Sequence, residues 1–210
     1  MLLRILALLF ALFVPLSAIS AQPSFDCDKA RSSAEKAVCA SGNLAALDRE
    51  TARLYKLALT GPHADAESAA HLKAFQRGWI KGRDDCWKEG AGLNACVAAS
   101  YVLRIHELRE GYAAARGQDN DGISIGPLAY ACDGLEAGLS VAFVNTSDTR
   151  YASLKWRQNA VVLIQAVSAS GARYTGDLYG EGMEFWVKRQ EAVFTLPDRE
   201  PLSCRVDSTG

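Results

Sequence analysis

Histidine is scarce and unevenly placed. The three copies, His63, His71 and His106, all fall in the first part of the chain, before residue 117. A serine–histidine nucleophile therefore cannot be built from the second half alone. No Cys-x-x-Cys pair or His-x-His cluster is present, which leaves little for a structural zinc site. Neither half carries a basic stripe: residues 22–116 have a net charge of +2 and residues 117–210 a net charge of −4. A nucleic-acid partner is not expected from such a distribution. After residue 21 no apolar run is long enough to span a bilayer. No cysteine follows the first apolar run to take a lipid, so no stable membrane anchor is expected. Asp119-Asn120-Asp121-Gly122 begins like a calcium loop, but no Asp or Glu lies between Asp121 and Asp133 to close it. That stretch reads as a linker, and no metal or cofactor is expected.

What is present starts with an export signal. Arg4 supplies a positive start, Leu2 to Leu16 is otherwise almost wholly apolar, and Ser17 to Ala21 offers small residues for cleavage. Residues 1–21 thus read as a signal peptide cut near Ala21, which delivers the chain to the periplasm or outside the cell. All six cysteines lie beyond it: Cys27, Cys39, Cys86, Cys96, Cys132 and Cys204. An even count in an oxidising compartment reads as three disulfides.

Residues 22–112 follow a helical period. Ser32 and Glu35 have capping-box spacing, and Gly42 is placed to end that helix. A second helix carries Leu44, Leu47, Leu54, Tyr55 and Ala58, and Gly61-Pro62 stops it. A third places Leu72, Phe75, Trp79 and Ile80 on one stripe; a fourth, after Gly90 to Gly92, carries Leu93, Val97, Tyr101, Ile105 and Leu108. If Cys27 and Cys39 flank the first helix, a rise of ~1.5 Å per residue separates them by roughly 18 Å. A disulfide needs Cα atoms within about 7 Å. The expectation is therefore that neither Cys27–Cys39 nor Cys86–Cys96 forms, and that both bridges run from the first helix to the third and fourth.

The period changes from helical to alternating near Leu128, after a linker over residues 113–126. Eight short alternating runs follow, from Leu128–Cys132 to Leu202–Val206, separated by turn residues. Residues 127–210 read as a small antiparallel barrel or sandwich, so the chain as a whole is α+β in two segregated domains. Cys132 and Cys204 can pair only if the sheet brings its first and last strands together.

Two resemblances sharpen this reading. Phe25-Asp26-Cys27, Glu35-x-x-x-Cys39, Leu47-Asp48, Gln76-x-x-Trp79, Arg83-Asp84-x-Cys86 and Tyr101-x-x-Arg104-Ile105 resemble the LprI-like family of small exported helical domains. Gln76, Trp79 and Arg83 could face a ligand there, but their spacing fits a half-buried helix face better. Tyr130-x-Cys132, Val141-x-Phe143-x-Asn145, Ser168 to Tyr174, Phe185-Trp186-x-Lys188, Glu191-Ala192 and Cys204 resemble the MliC/PliC inhibitors of c-type lysozyme. That resemblance implies an eight-stranded barrel and an inhibitor rather than an enzyme.

It also implies that the serine of Ser-Gly-x-x-Tyr and the lysine after Phe-Trp enter the lysozyme cleft. The matching residues are Ser170 and Lys188, with Gly171, Tyr174 and Arg189 in the same contact. Arg189 departs from the pattern, which usually has glycine there. Tyr174, Tyr179 and Trp186 are candidates for further aromatic contact, with barrel packing the favoured role for Tyr174 and Trp186. The implied function is an exported inhibitor of c-type lysozyme that protects peptidoglycan. The alternative is an envelope-binding or scaffold module whose helical domain recognises another hydrolase or peptidoglycan. Oligomeric state is not legible.

Overall fold

A computed structural model describes residues 22–61, 64–90, 92–117 and 121–207, with the side chains of residues 177–179 excepted. The signal-peptide segment, His63, Asp119 and Asn120 lie outside the described residues, as does the side chain of Tyr179. No helix among the described residues is long and apolar enough to cross a membrane.

The chain begins with a single 3-10 turn, Cys27–Lys29, and then enters α1 (Ser33–Ala40). Ser32 and Glu35 form the expected capping box: the serine hydroxyl accepts from the Glu35 amide at 3.1 Å, and the Glu35 carboxylate accepts from the Ser32 amide at 3.0 Å. Gly42 does not end that helix. Ser41 ends α1 and caps the next helix, accepting from the Leu44 amide at 3.3 Å, so Gly42 opens α2 (Gly42–Thr60). The Asp65 carboxylate caps α3 (Ala66–Asp84) in the same manner. A second 3-10 turn, Asp85–Lys88, leads to α4 (Leu93–Gly111) and a short α5 (Ala113–Arg116). On α3 the expected stripe is only partly buried: Leu72 is 1% exposed, whereas Phe75 is 55% and Ile80 37% exposed.

The cysteine pairing corrects the expectation. Cys27 bonds Cys39 and Cys86 bonds Cys96, with Cα separations of 5.8 and 5.5 Å. The ~18 Å separation presumes one continuous helix between the partners. Cys27 instead sits on the separate 3-10 turn, and extended residues at Ala30 and Ser32 redirect the chain before α1 begins. Cys86 sits on the second 3-10 turn, and Gly92, at φ 94°, reverses the chain so that Cys96 returns on the first turn of α4. Both bridges close short loops, each worth ~3 kcal/mol on chain-entropy grounds. No disulfide joins one long helix to another, so the layer is held together by packing around Leu44, Leu47, Leu54, Tyr101 and Ile105.

The second half is a closed antiparallel barrel. Its strands are β1 (Ser124–Cys132), β2 (Leu139–Asn145), β3 (Arg150–Trp156), β4 (Asn159–Ala166), β5 (Ala172–Tyr179), β6 (Glu184–Lys188), β7 (Glu191–Thr195) and β8 (Leu202–Val206). Each strand pairs with its sequence neighbour, and β8 returns to β1 with Cys204 directly opposite Cys132. The Cys132–Cys204 disulfide staples that seam. Tyr130, Leu139, Val141, Leu154, Leu163, Phe185 and Phe194 fill the interior.

The outer face is unequally covered. Val144, Tyr151 and Val162 alternate with the interior residues of β2, β3 and β4, yet they are buried because they belong to the helical core. Helix α4 lies against β1 to β4. Polar side chains fix its position. Asn43 donates to the Tyr151 hydroxyl at 2.7 Å, and Arg109 Nε donates to Ser124 Oγ at 2.7 Å. The Ser124 hydroxyl in turn donates to the Glu50 carboxylate. Of residues 113–126, the described stretches 113–117 and 121–126 are therefore built into this interface, with α5 in the first and β1 starting at Ser124 in the second, ahead of the expected boundary at 127. The three disulfides suit an oxidising compartment.

Candidate functional site

The β4–β5 loop, residues 167–171, and the β6–β7 turn, Arg189 and Gln190, meet at one end of the barrel. Strand register brings them there: Ala172 pairs with Val187 and Arg173 with Trp186. Gly171 permits the close approach. Its φ is +70°, and a Cβ at that position would stand 2.4 Å from the Val187 carbonyl oxygen. Any side chain there would push the loop away.

Trp186 ties the two segments together. Its indole Nε1 donates to the Ser170 carbonyl oxygen at 2.9 Å, and the Ser168 hydroxyl donates to the same oxygen at 2.8 Å. The Lys188 ammonium lies 3.9 Å from the centroid of the Trp186 ring, a cation–π contact. One side chain thus anchors the serine loop by its edge and steadies the lysine by its face. Ser170 and Lys188 are themselves exposed, and neither the Ser170 hydroxyl nor the Lys188 ammonium has a hydrogen-bond or ion-pair partner among the described residues. Chemically the site offers an exposed hydroxyl on an anchored loop and an exposed ammonium held over an indole, both free of hydrogen-bond and ion-pair partners among the described residues.

Arg189 is exposed and has φ +58°, the left-handed region that glycine occupies at least cost. It begins the two-residue connection between Lys188 and Glu191, which pair directly. The backbone there takes the conformation suited to glycine while carrying an arginine side chain.

Tyr174 does not belong to this surface. It is 4% exposed, its ring 5.5 Å from that of Phe143 inside the barrel, and burial pushes its phenol pKa up. Alternation explains the correction: Arg173 points outward to pair with Glu184 at 2.6 Å, so Tyr174, the next residue, must point inward. Trp186 packs on the outside of the barrel as a brace. That role was partly visible in the sequence, because residues two apart on a strand share a face and Lys188 follows two after Trp186. Ser168, the second brace, carried no signal beyond its place in the motif.

On the helical layer, Gln76, Trp79 and Arg83 form the half-buried face expected of them. Arg83 Nη1 donates to the Tyr101 hydroxyl at 2.8 Å, Trp79 Nε1 to the Ser100 carbonyl at 3.2 Å, and Gln76 accepts from Arg104 Nε at 3.0 Å.

The barrel contributes no histidine but does meet one. His106 of α4 sits 2.9 Å from Ser153 Oγ through Nδ1 and 2.9 Å from Ser140 Oγ through Nε2. It is fully buried, and burial drives its pKa down to about 4, against the pull of Glu110 and helped by Lys155. Nδ1 faces a hydroxyl rather than a carboxylate, and Glu110 is engaged by Lys155. The contact glues the helical layer to the barrel, with Glu110 4.0 Å from Nε2.

Set beside known proteins, residues 27–108 match the family described as lysozyme inhibitor LprI. Residues 130–203 match the membrane-bound lysozyme inhibitor of c-type lysozyme, MliC. The lipoprotein LprI of Mycobacterium tuberculosis is 30% identical over 172 residues, which cover 82% of this chain and 79% of that protein. The chain belongs to the LprI family. The LprI of Mycobacterium bovis matches to the same extent. The membrane-bound lysozyme inhibitor of c-type lysozyme from Cupriavidus necator is 35% identical over 106 residues, 49% of this chain and 70% of that protein. The LprI segment coincides with the helical layer, and the MliC segment runs from β1 into β8.

Proposed function

We propose that this chain is an exported inhibitor of c-type lysozyme, released from its signal peptide near Ala21, and that Ser170 and Lys188 enter the enzyme's cleft. The observation that carries the reading is the pair itself: an unsatisfied hydroxyl and ammonium braced by one indole on the bare side of the barrel. The descriptions of the LprI and MliC relatives as lysozyme inhibitors support the partner. They also favour an inhibitor over an enzyme.

The physical fit is direct. A lysozyme cuts glycan with two carboxyl groups, one held protonated and one ionised. An ammonium brings three donors and a compensating charge to the ionised group, and a hydroxyl donates or accepts as the other requires. Such bonds contribute ~1.5–3 kcal/mol each, whereas nanomolar binding takes about 12 kcal/mol. The remainder comes from neighbouring surface and from preorganisation. The Trp186 and Ser168 contacts fix the loop before binding, so less freedom is lost on association.

The test mixes mature protein with a c-type lysozyme and follows lysis of a bacterial suspension. Inhibition is expected at or below micromolar concentration, and undiminished lysis there sinks the proposal. Ser170→Ala and Lys188→Ala should each weaken inhibition by tenfold or more, about 1.4 kcal/mol. Unchanged inhibition by the double variant would mean that other residues make the contact. A second reading, envelope binding by the helical layer, is favoured by a cleft of about 480 Å³ between α2 and α3, with Phe25, Tyr55 and Trp79 in its wall.

A further inference from the structure

The helical layer covers β1 to β4 and leaves the outer face of β6 to β8 bare. Register lays two rows across that face. Trp186, Val193 and Ser203 stand side by side, and next to them Lys188, Glu191 and Arg205 do the same. The rows line a groove of about 300 Å³ that begins at Lys188, so it is continuous with the serine–lysine site.

Two properties distinguish this groove from a solvated strand surface. Val193 is an apolar side chain 38% exposed, set between Trp186 and Ser203 beside a row of charged residues. Glu191 stands directly between Lys188 and Arg205, yet it makes no ion pair with either among the described residues. Opposite charges facing each other across strands ordinarily attract by ~0.2–1 kcal/mol. Here Lys188 lies over Trp186 instead, and Arg205 is left to solvent. The face therefore presents Lys188 and Arg205 on either side of a Glu191 that neither engages, with Arg189 at its edge.

We infer that this groove is the second half of the contact: it receives the rim of the glycosidase whose cleft takes Ser170 and Lys188. An apolar side chain of the rim seats over Val193, and Arg205 pairs with a carboxylate beside it. The inference rests on the reading of Ser170 and Lys188 as cleft-entering residues. Continuity supports it, because the groove begins at Lys188, the residue read as entering the cleft, so a body seated there also lies against Val193 and Arg205. The energy balance supports it as well, since two polar contacts leave most of a nanomolar affinity to adjoining surface.

The experiment measures association and dissociation of the full mature chain on immobilised c-type lysozyme. The variants are Arg205→Glu, Ser203→Trp to fill the groove, and Lys36→Glu, an equal charge reversal on exposed α1. Arg205→Glu and Ser203→Trp are each expected to speed dissociation tenfold or more, with Lys36→Glu within twofold of the parent. Circular dichroism of each variant checks that the barrel is intact. Dissociation within twofold of the parent for both groove variants overturns the inference, while loss of binding in Lys188→Ala keeps the cleft reading alive. A slower association for Arg205→Glu that vanishes in high salt, with dissociation unchanged, also overturns it, because that is steering rather than contact. If Ser170→Ala and Lys188→Ala bind as the parent does, the cleft reading fails first and the groove inference falls with it.

Discussion

Acid should loosen the join between helices and barrel, and His106 sets the amount. Its imidazole is buried between α4 and the barrel, and its pKa falls from an ordinary 6.5 to about 4. A histidine depressed in the folded state stabilises it fully above the unfolded pKa. That stability is lost as pH drops from 6.5 towards 4, because the unfolded chain takes up a proton that the folded one refuses. Each pH step of one between those two values costs about 1.36 kcal/mol, so the loss relative to pH 7 is about 2 kcal/mol at pH 5 and about 3 kcal/mol at pH 4. The charged neighbours are Glu110 on the same helix and Lys155 on β3, which pair with each other. The pKa of Glu110 is lowered, Lys155 outweighing the effect of burial, so its own loss begins only below about pH 4.5 and has the same sign. Urea unfolding at pH 7, 6 and 5 should show the midpoint falling by about 1 M, taking a slope near 2 kcal/mol per M. His106→Gln keeps a polar group between Ser140 and Ser153 but cannot titrate there. It should start less stable at pH 7 and lose little between pH 7 and pH 5. Parallel curves for parent and variant would refute the reasoning, since the acid sensitivity would then arise elsewhere.

Two further outcomes follow from the loops. Gly171→Ala forces a side chain into φ +70° and against the Val187 carbonyl, so it should cost about 2 kcal/mol or more and displace Ser170. A thermal melt and a lysis assay check both effects, and an unchanged melt contradicts the packing described. Arg189→Gly relieves a left-handed residue and should gain up to about 1 kcal/mol, or roughly 2–4 °C in melting temperature. If Arg189 supplies a cation to the contact, the same variant weakens inhibition even as it melts higher; if it only misdirects Lys188, inhibition improves.

The barrel was readable because alternation survives in short strands. All eight expected runs became strands, with ends shifted by a few residues, as at Ser124 for β1 and Tyr179 for β5. The same alternation, with Arg173 on the surface, agrees with the barrel-packing role favoured for Tyr174 and removes it from the contact the motif had placed it in. The disulfides were misread for a different reason. A single 3-10 turn carries no periodic signature, so Cys27 and Cys86 looked like helix residues at fixed rise. The join between the halves was the least legible feature. Leu139 to Val144 is almost wholly apolar, which fits a strand buried on both faces, yet nothing in the residues says which element covers the outer one. His106, Arg109 and Ser124 find their partners only after folding, across stretches of chain that share no pattern.

That join gives the helical layer and the flank of the barrel one continuous core rather than two separate ones. Cutting between the halves would strip the cover from Val144, Tyr151 and Val162 and open the Glu50–Ser124–Arg109 network to water. An isolated barrel would then present an adhesive flank of its own making. Its affinity for lysozyme, measured alone, would mix specific docking with that stickiness. The helical layer is thus the cover on the barrel's blind side.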